Sequence, residues 1–282
     1  MGFKITSEMI DQWGGSFWYK NPENYGHRLY KLPEPGEKGG RPGGDEGHLF
    51  RMLANIIRLK NEGKMEEYLL EVNKLNQTFV ESPANQVVPL QDTFDMIDAA
   101  NGPLIAMMCL CRKMNRATEE TSLWEYSCLG IGSAQLKWKR WPERYRGGVE
   151  YLTPSQAKEW MDYWDTRGMV HILMSEGIGA IAGLCNCDYP DCIAIRTRLG
   201  YGIDPMCVKA EYVAKIDYER CIGCGDCISR CQFGAMKNEI TVKKANIDPY
   251  RCFGCGVCQR VCQQKAINLL PRRSFPALRE EW

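Results

Sequence analysis

The first part of the chain repeats apolar residues at the period of amphipathic helices. Apolar side chains follow helical spacing over residues 49–57, after Asp45, and again over residues 65–75, after Gly63. These two stretches predict a helical hairpin with one buried face. Residues 1–47 are instead rich in Gly, Pro and aromatic residues, so we expect an N-terminal arm that ends in a Gly-rich loop.

The middle of the chain mixes strand and helix patterns. Residues 104–108 form a short apolar run that predicts a buried strand. Residues 153–156 read Thr-Pro-Ser-Gln, which is a capping box with Pro at the first helical position, and the helix that it predicts ends at Gly168. Residues 169–174 predict a second strand. The pattern therefore indicates an α+β region.

Two copies of one cysteine spacing lie near the C-terminus. Residues 221–231 and residues 252–262 each follow C-x2-C-x2-C-x3-C. The first three thiolates of such a run bind a [4Fe–4S] cluster, and in a tandem pair the fourth thiolate belongs to the cluster of the other run. One predicted cluster is bound by Cys221, Cys224, Cys227 and Cys262, and the second by Cys252, Cys255, Cys258 and Cys231.

The residues between these cysteines also suit an iron–sulfur cluster. Glycines let the backbone wrap closely and direct N–H groups at sulfide; they are Gly223, Gly225, Gly254 and Gly256. A zinc site and a disulfide framework are the alternatives. Zinc sites usually lack the third closely spaced cysteine and the C-x3-C ending, so the spacing favours two cubane clusters.

With these runs, residues 209–270 resemble the bacterial-type two-cluster ferredoxin family. The resemblance implies a ferredoxin-like fold with two [4Fe–4S] clusters that carry single electrons. The family usually has Pro after the fourth cysteine of each run, whereas this chain has Gln232 and Gln263. Our hypothesis is that a Gln at this position brings an additional amide near sulfur and raises the cluster potential.

Composition and charge exclude several other classes of protein. The chain has 282 residues, 44% of them hydrophobic and 25% charged, with a net charge of +1, which is ordinary for a soluble globular protein and gives no sign of nucleic-acid binding. No apolar run approaches the roughly 20 residues of a membrane span. The opening residues carry no apolar signal segment. Cluster ligands must be thiolates, so we expect a reducing, cytoplasmic location.

Seven cysteines lie outside the two runs: Cys109, Cys111, Cys128, Cys185, Cys187, Cys192 and Cys207. Two C-x-C pairs each end an apolar segment, which predicts a third metal site. A third cubane is the leading form, with Cys185, Cys187 and Cys192 as ligands and the fourth from Cys207 or from Cys109, Cys111 or Cys128. Zinc is the alternative metal. Structural thiols and a redox dithiol are the other interpretations.

Residues 86–208 resemble a segment that precedes the ferredoxin module in a family of larger ferredoxin-like proteins from anaerobes. The motifs that carry the resemblance are Cys109–Arg112, Cys128–Gly130, Gly168–His171 and Cys185–Cys187. In this chain Asp188, Pro190 and Asp191 stand where that family often has thiols, and residues 113–127 lack a cysteine.

Together, these patterns predict an α+β protein whose C-terminal ferredoxin-like domain follows a mostly helical, cysteine-containing α+β N-terminal domain. The expected units are the arm, loop and hairpin (1–85), the cysteine-containing domain (86–208), the two-cluster domain (209–270) and a basic tail (271–282). We expect the tail to be a surface arm.

The predicted function is electron transfer as a subunit of a larger anaerobic redox complex, with a redox partner protein or other subunits as partners. A non-catalytic role is favoured because no G-x-G-x-x-G motif opens a helix and the three histidines are scattered. One alternative is a reductase with its own active site near the N-terminal cysteines. The other is a sensor or assembly protein in which the clusters are structural.

Overall fold

The computed structural model describes residues 46–80, 85–100, 102–116, 120–132, 149–175 and 181–282. The predicted N-terminal arm and most of the Gly-rich loop lie outside the described residues. Among the helices within the described ranges, none is both long enough and apolar enough to cross a bilayer.

The predicted helical hairpin is confirmed. Helix α1 (Glu46–Asn61) and helix α2 (Met65–Val80) are joined by a tight turn in which Gly63 has a left-handed φ of +71°. Their buried faces meet through Ile56 and Leu75, which share an apolar cluster with Ile203 of the following domain. The hairpin is therefore packed on the cysteine-containing region.

The cysteine-containing region is built on a six-stranded antiparallel sheet. Its strand order is β1-β5-β6-β3-β2-β4. The strands are β1 (Asn85–Val88), β2 (Leu104–Met107), β3 (Cys128–Ile131), β4 (Val149–Leu152), β5 (Val170–Ser175) and β6 (Ile181–Cys187). The helices of this region are α3 (Leu90–Ala99), α4 (Leu110–Arg116), α5 (Pro154–Thr166) and α6 (Ile193–Tyr201). The predicted α+β class is confirmed, as are the strands predicted over 104–108 and 169–174.

The two faces of this sheet pack against different partners. On one face, Leu173 and Leu184 join an apolar core with α3 and α5. On the other face, Ile172 and Cys185 pack toward the C-terminal unit (residues 209–282), including Phe253. Because side chains alternate along a strand, the same strands supply both cores. The cysteines of β6 consequently face the C-terminal unit.

Helix α5 begins as its sequence predicts. The Thr153 side chain accepts a hydrogen bond from the Gln156 N–H, and the Gln156 side chain accepts one from the Thr153 N–H at 2.9 Å. Pro154 occupies the first helical position. Two otherwise unpaired donors are satisfied in this way, which stabilises the end of the helix that packs against the sheet.

The C-terminal unit consists of two similar halves. It contains two antiparallel strand pairs, β7 (Tyr212–Ile216) with β10 (Ile267–Pro271) and β8 (Met236–Glu239) with β9 (Lys244–Ile247). Its two short helices, α7 (Asp226–Arg230) and α8 (Val257–Val261), pack against each other. This arrangement places the two cysteine runs side by side.

The expectation of a C-terminal surface arm is wrong. Arg272 is fully buried and donates to the carbonyl oxygen of Cys252 at 2.8 Å, while Leu278 and Trp282 are also buried. The carbonyl oxygen of Trp282 accepts a hydrogen bond from Arg198 at 2.5 Å. Charge in the sequence suggested a solvated tail, but these tertiary contacts fold the tail back onto the protein.

Candidate metal centres

The two cysteine runs share one backbone course. Gly225 and Gly256 precede α7 and α8 with left-handed φ values of +85° and +84°. The fourth cysteines, Cys231 and Cys262, end these helices with φ values of −76° and −75°. Matching backbones indicate that each run can wrap a metal centre in the same way.

Two further glycines hold the runs close to neighbouring strands. Gly223 and Gly254 have left-handed φ values of +72° and +70°. A Cβ atom at Gly223 would lie 2.0 Å from the carbonyl oxygen of Lys243, and one at Gly254 would lie 2.1 Å from that of Tyr212. Only glycine fits such an approach, so each run is fixed against a strand pair.

The first set of thiols gathers around Cys227. Burial raises the pKa of the Cys227 thiol to about 11, and three neighbouring thiols add to the shift. They belong to Cys224, Cys221 and Cys262. The structure therefore brings the first three cysteines of one run to the last cysteine of the other. Metal ligation removes the proton from such thiols, so this set is suited to a metal centre.

The second set of thiols gathers around Cys258. Burial raises the pKa of its thiol, followed by the effects of Cys255, Cys252, Cys231 and then Cys227 of the first set. A pocket is lined by all four cysteines of this second set. The eight thiols thus form two crossed and adjacent sets.

Backbone N–H groups point at several of these sulfur atoms. The donors and acceptors are Ala235 to Cys231 and Ala266 to Cys262, both at 3.3 Å, and Ala214 and Gly254 to Cys252, both at 3.4 Å. Such donors stabilise the negative charge of thiolates bound to iron. The donor set, the cavity and the N–H groups all fit a cubane cluster.

Residues 214–263 match the family model described as a 4Fe-4S dicluster domain. The chain carries a 4Fe–4S dicluster domain. Such a domain implies two [4Fe–4S] clusters and iron–sulfur electron transfer. No curated protein matches the chain.

Gln232 ties the dicluster domain to the cysteine-containing region. Its side-chain amide donates to the carbonyl oxygens of Gly168 at 2.8 Å and Cys187 at 3.4 Å, and its oxygen accepts from the Tyr189 N–H at 2.8 Å. The residue that replaces the usual proline is therefore directed at the neighbouring region. This contact gives Gln232 a docking role that the sequence did not indicate.

Six of the seven other cysteines form one group, which we call the thiol ring. Neighbouring thiols contact each other in the order Cys111, Cys109, Cys128, Cys185, Cys187 and Cys192. The Sγ atoms of Cys128 and Cys185 are 3.6 Å apart. Cys111 and Cys192, at the two ends of this order, are close enough for the charge of one to affect the other, so the group forms a ring.

Strand register explains why the ring forms. Cys128 is paired with Met107 of β2 on one side and with Cys185 of β6 on the other. Cys109 and Cys187 lie two residues further along their chains, beyond Met107 and Cys185 respectively. Since residues two apart share a face, these four thiols meet at one edge of the sheet.

Cys207 lies at the edge of the ring. Its side chain is fully buried, and burial raises the pKa of its thiol, with a smaller effect from Cys192. The sequence makes Cys207 one candidate for the fourth ligand, with Cys109, Cys111 and Cys128 as the other candidates. The structure brings those three thiols into the ring and leaves Cys207 beside it.

Arg112 supplies a positive charge next to the ring. Its backbone N–H donates to Cys109 Sγ at 3.4 Å, and its guanidinium pairs with Glu120 at 3.0 Å and Asp188 at 3.1 Å. Contacts with Cys111 and Cys128, and then Arg112, hold the pKa of Cys109 well below its ordinary value. Asp188 stands at a position where the family that residues 86–208 resemble often has a thiol. In this chain it forms an ion pair with Arg112.

His171 has a structural environment. It is fully buried, with Nδ1 2.7 Å from the Asn186 side-chain oxygen and Nε2 3.3 Å from the Asp165 carboxylate. Asn186 lies between Cys185 and Cys187. The histidine of the Gly-Met-Val-His motif thus supports the strand that carries two ring thiols.

Proposed function

We propose that the chain is an electron-transfer subunit of a larger redox complex, passing single electrons through the two clusters of its dicluster domain. The observation that carries the proposal is the pair of crossed thiol sets, which lie close enough for Cys227 and Cys258 to affect each other electrostatically. Two adjacent cubanes form a one-electron relay. A reducing, cytoplasmic setting in an anaerobic organism suits a chain with fifteen cysteines.

We further propose that the thiol ring binds a third [4Fe–4S] cluster. Six thiols from four separate segments converge there, which single structural cysteines do not require. The proposed ligands are Cys185, Cys187 and Cys192, with the fourth from Cys109, Cys111 or Cys128.

Zinc is the alternative metal for the ring. Zinc holds thiolates at about 2.3 Å, so its four sulfur ligands lie about 3.8 Å from one another. The Sγ atoms of Cys128 and Cys185, 3.6 Å apart, are at a spacing that such a site would also accept. Metal analysis therefore has to separate the two metals.

The position of the ring supports a relay of three centres. One apolar cluster contains Cys185 and Cys187, the stacked rings of Phe233 and Phe253, and the adjoining Cys255 of the second set. The proposed third centre therefore lies beside the second cluster. The order of the relay would be third, second and first centre.

A reductase is the second candidate function. It is favoured by one observation: the ring has six thiols, whereas a cubane uses four, so two thiols next to Arg112 remain for other chemistry. In this account the dicluster domain delivers electrons to a site at the ring.

Metal analysis of matched variants tests the third centre. Anaerobically purified wild type should contain about twelve irons and twelve sulfides, against about eight of each for two clusters. Cys185→Ser should lower both by about four, whereas Cys207→Ser, a buried control beside the ring, should keep the wild-type content. About eight irons in all three proteins would contradict a third cluster, and stoichiometric zinc would identify the alternative metal.

A further inference from the structure

The six thiols of the ring come from two kinds of element. Four lie on β3, on β6 or shortly after β6: Cys128, Cys185, Cys187 and Cys192. The other two, Cys109 and Cys111, lie at the start of α4. A cubane uses four thiolates, and the strand side supplies four, since Cys128 lies opposite Cys185 on the paired strand. This assignment leaves Cys109 and Cys111 for another role.

Cys109 and Cys111 form a close pair. Their side chains lie within hydrogen-bond distance of each other. Cys109 is held in place by two further contacts: its backbone N–H donates to the Glu120 carboxylate at 2.8 Å, and its Sγ accepts from the Arg112 N–H at 3.4 Å. Two thiols held in contact can react with a disulfide one after the other.

The two members of the pair differ in exposure. Cys111 is partly exposed, whereas Cys109 is buried. Reactive cysteines are partly exposed, so Cys111 is the thiol that meets a substrate and Cys109 the one that follows it. Cys111 also packs against the apolar cluster of the helical hairpin. An approaching disulfide therefore meets an apolar wall, which favours a small molecule.

The charges around the pair are balanced. The basic residues of α4 are Arg112, Lys113 and Arg116, and the carboxylates near them belong to Glu120, Asp188 and Asp191. Arg112 pairs with Glu120 at 3.0 Å and with Asp188 at 3.1 Å. Since three carboxylates offset three cations, this site favours a neutral substrate.

The pair also adjoins the electron-transfer centres. Cys109 contacts Cys128, and Cys128 packs in the apolar cluster that Cys255 of the second thiol set adjoins. A dithiol at this place lies beside a source of single electrons.

We propose that Cys109 and Cys111 form a redox-active dithiol that reduces a small neutral disulfide. This inference rests on the proposed electron-transfer function and gives the reductase alternative a substrate class. The Cys111 sulfur attacks one sulfur of the substrate, which forms a mixed disulfide and releases the first thiol with the proton of Cys111. Cys109 then attacks the Cys111 sulfur, which releases the second thiol and closes a Cys109–Cys111 disulfide. Two electrons, delivered singly by the chain's electron transfer, and two protons from water reopen that bond.

Mass spectrometry of the anaerobic protein tests the pair without turnover. The probe is bis(2-hydroxyethyl) disulfide, followed by alkylation and peptide mapping. Wild type should form a Cys109–Cys111 disulfide, whereas Cys109→Ser should keep a mixed disulfide on Cys111 because the second thiol is missing. Cys207→Ser, which removes a buried thiol beside the ring, should behave as wild type.

Reduced methyl viologen then tests the reaction. Wild type and Cys207→Ser should oxidise the viologen continuously when the same disulfide is added. Cys111→Ser should lose this activity but keep its iron content and the reduction of its clusters by viologen.

Each other outcome has a defined meaning. Loss of about four irons in Cys111→Ser would make Cys111 a cluster ligand and overturn the dithiol. Absence of both disulfides, or a Cys109–Cys111 disulfide that the reduced protein does not reopen, would overturn the inference while leaving electron transfer intact. Failure of viologen to reduce the wild-type clusters would overturn the proposed function. Trapping on Cys111 needs no viologen, so the two failures are distinguishable.

Discussion

Three buried basic side chains lie beside the second half of the dicluster domain. Arg272 donates to the Cys252 carbonyl oxygen, the guanidinium of Arg198 lies 4.8 Å from the centre of the Phe253 ring, and Lys209 is also buried. Buried cations are costly unless a negative charge is close. Asp204 pairs with Arg198 at 3.4 Å. An anionic cluster in the second set of thiols would place a further negative charge beside all three cations, and their positive charge would make that cluster easier to reduce.

The pKa of Lys209 predicts a pH dependence of stability. Burial first, and then repulsion from Arg198 and Arg272, lowers this pKa to about 8 in the folded protein from an ordinary value of 10.5. Between these values the unfolded chain binds more protons, so the lysine's contribution to stability rises with pH. We expect the stability advantage of Lys209→Met over wild type to shrink by about 2 kcal/mol from about pH 8 to about pH 10.

Anaerobic denaturant unfolding, followed by circular dichroism, measures this difference. Lys74→Met changes an exposed lysine of α2 and should show no such pH dependence relative to wild type. A stability difference between Lys209→Met and wild type that stays constant over the range would contradict the account.

At the level of elements, a small number of polar contacts joins the dicluster domain to the sheet. Gln232 binds the Gly168 and Tyr189 segments, and Arg260 of α8 pairs with Asp162 of α5 at 2.8 Å. The apolar cluster around Phe253 supplies the apolar part of this interface. The second cluster and the thiol ring are consequently held in fixed relation.

Removal of the Gln232 side chain should weaken this connection. Gln232→Ala loses three hydrogen bonds across the interface, so we expect a destabilisation of about 1–3 kcal/mol. Gln263→Ala is the matched control, since Gln263 holds the same position in the other run and is exposed. Thermal unfolding of the anaerobic proteins measures both, and equal stability of the two variants would argue against a docking role.

Sequence predicted the elements whose signals are local. The capping box at Thr153 depends on residues a few positions apart and appears as expected. The four-residue strands β1, β3 and β4 are too short to show a clear period. The thiol ring depends on the register of Cys128 against Cys185, which brings together residues 57 positions apart. The sequence therefore indicated a third metal site but could not give the order in which its thiols meet.

At the scale of the whole molecule, the two halves of the dicluster domain differ in their access to the surface. The proposed third centre lies between the sheet and the second cluster, the second cluster is enclosed, and the first cluster reaches the surface at Cys224. The C-terminal tail packs onto the protein beside the second half of the dicluster domain, where Arg272 and Trp282 are buried. Its burial was not predictable from its charged sequence because the partners of these residues lie far away in the chain.

The two crossed sets of thiols are expected to hold two reducible [4Fe–4S] clusters. A redox titration of the anaerobic protein followed by electron paramagnetic resonance tests it most directly. We predict two reduced-cluster signals that interact with each other, with the second cluster reduced at the higher potential because of its three basic neighbours. No reduced-cluster signal anywhere between about −700 and +450 mV, in folded protein, would contradict the account.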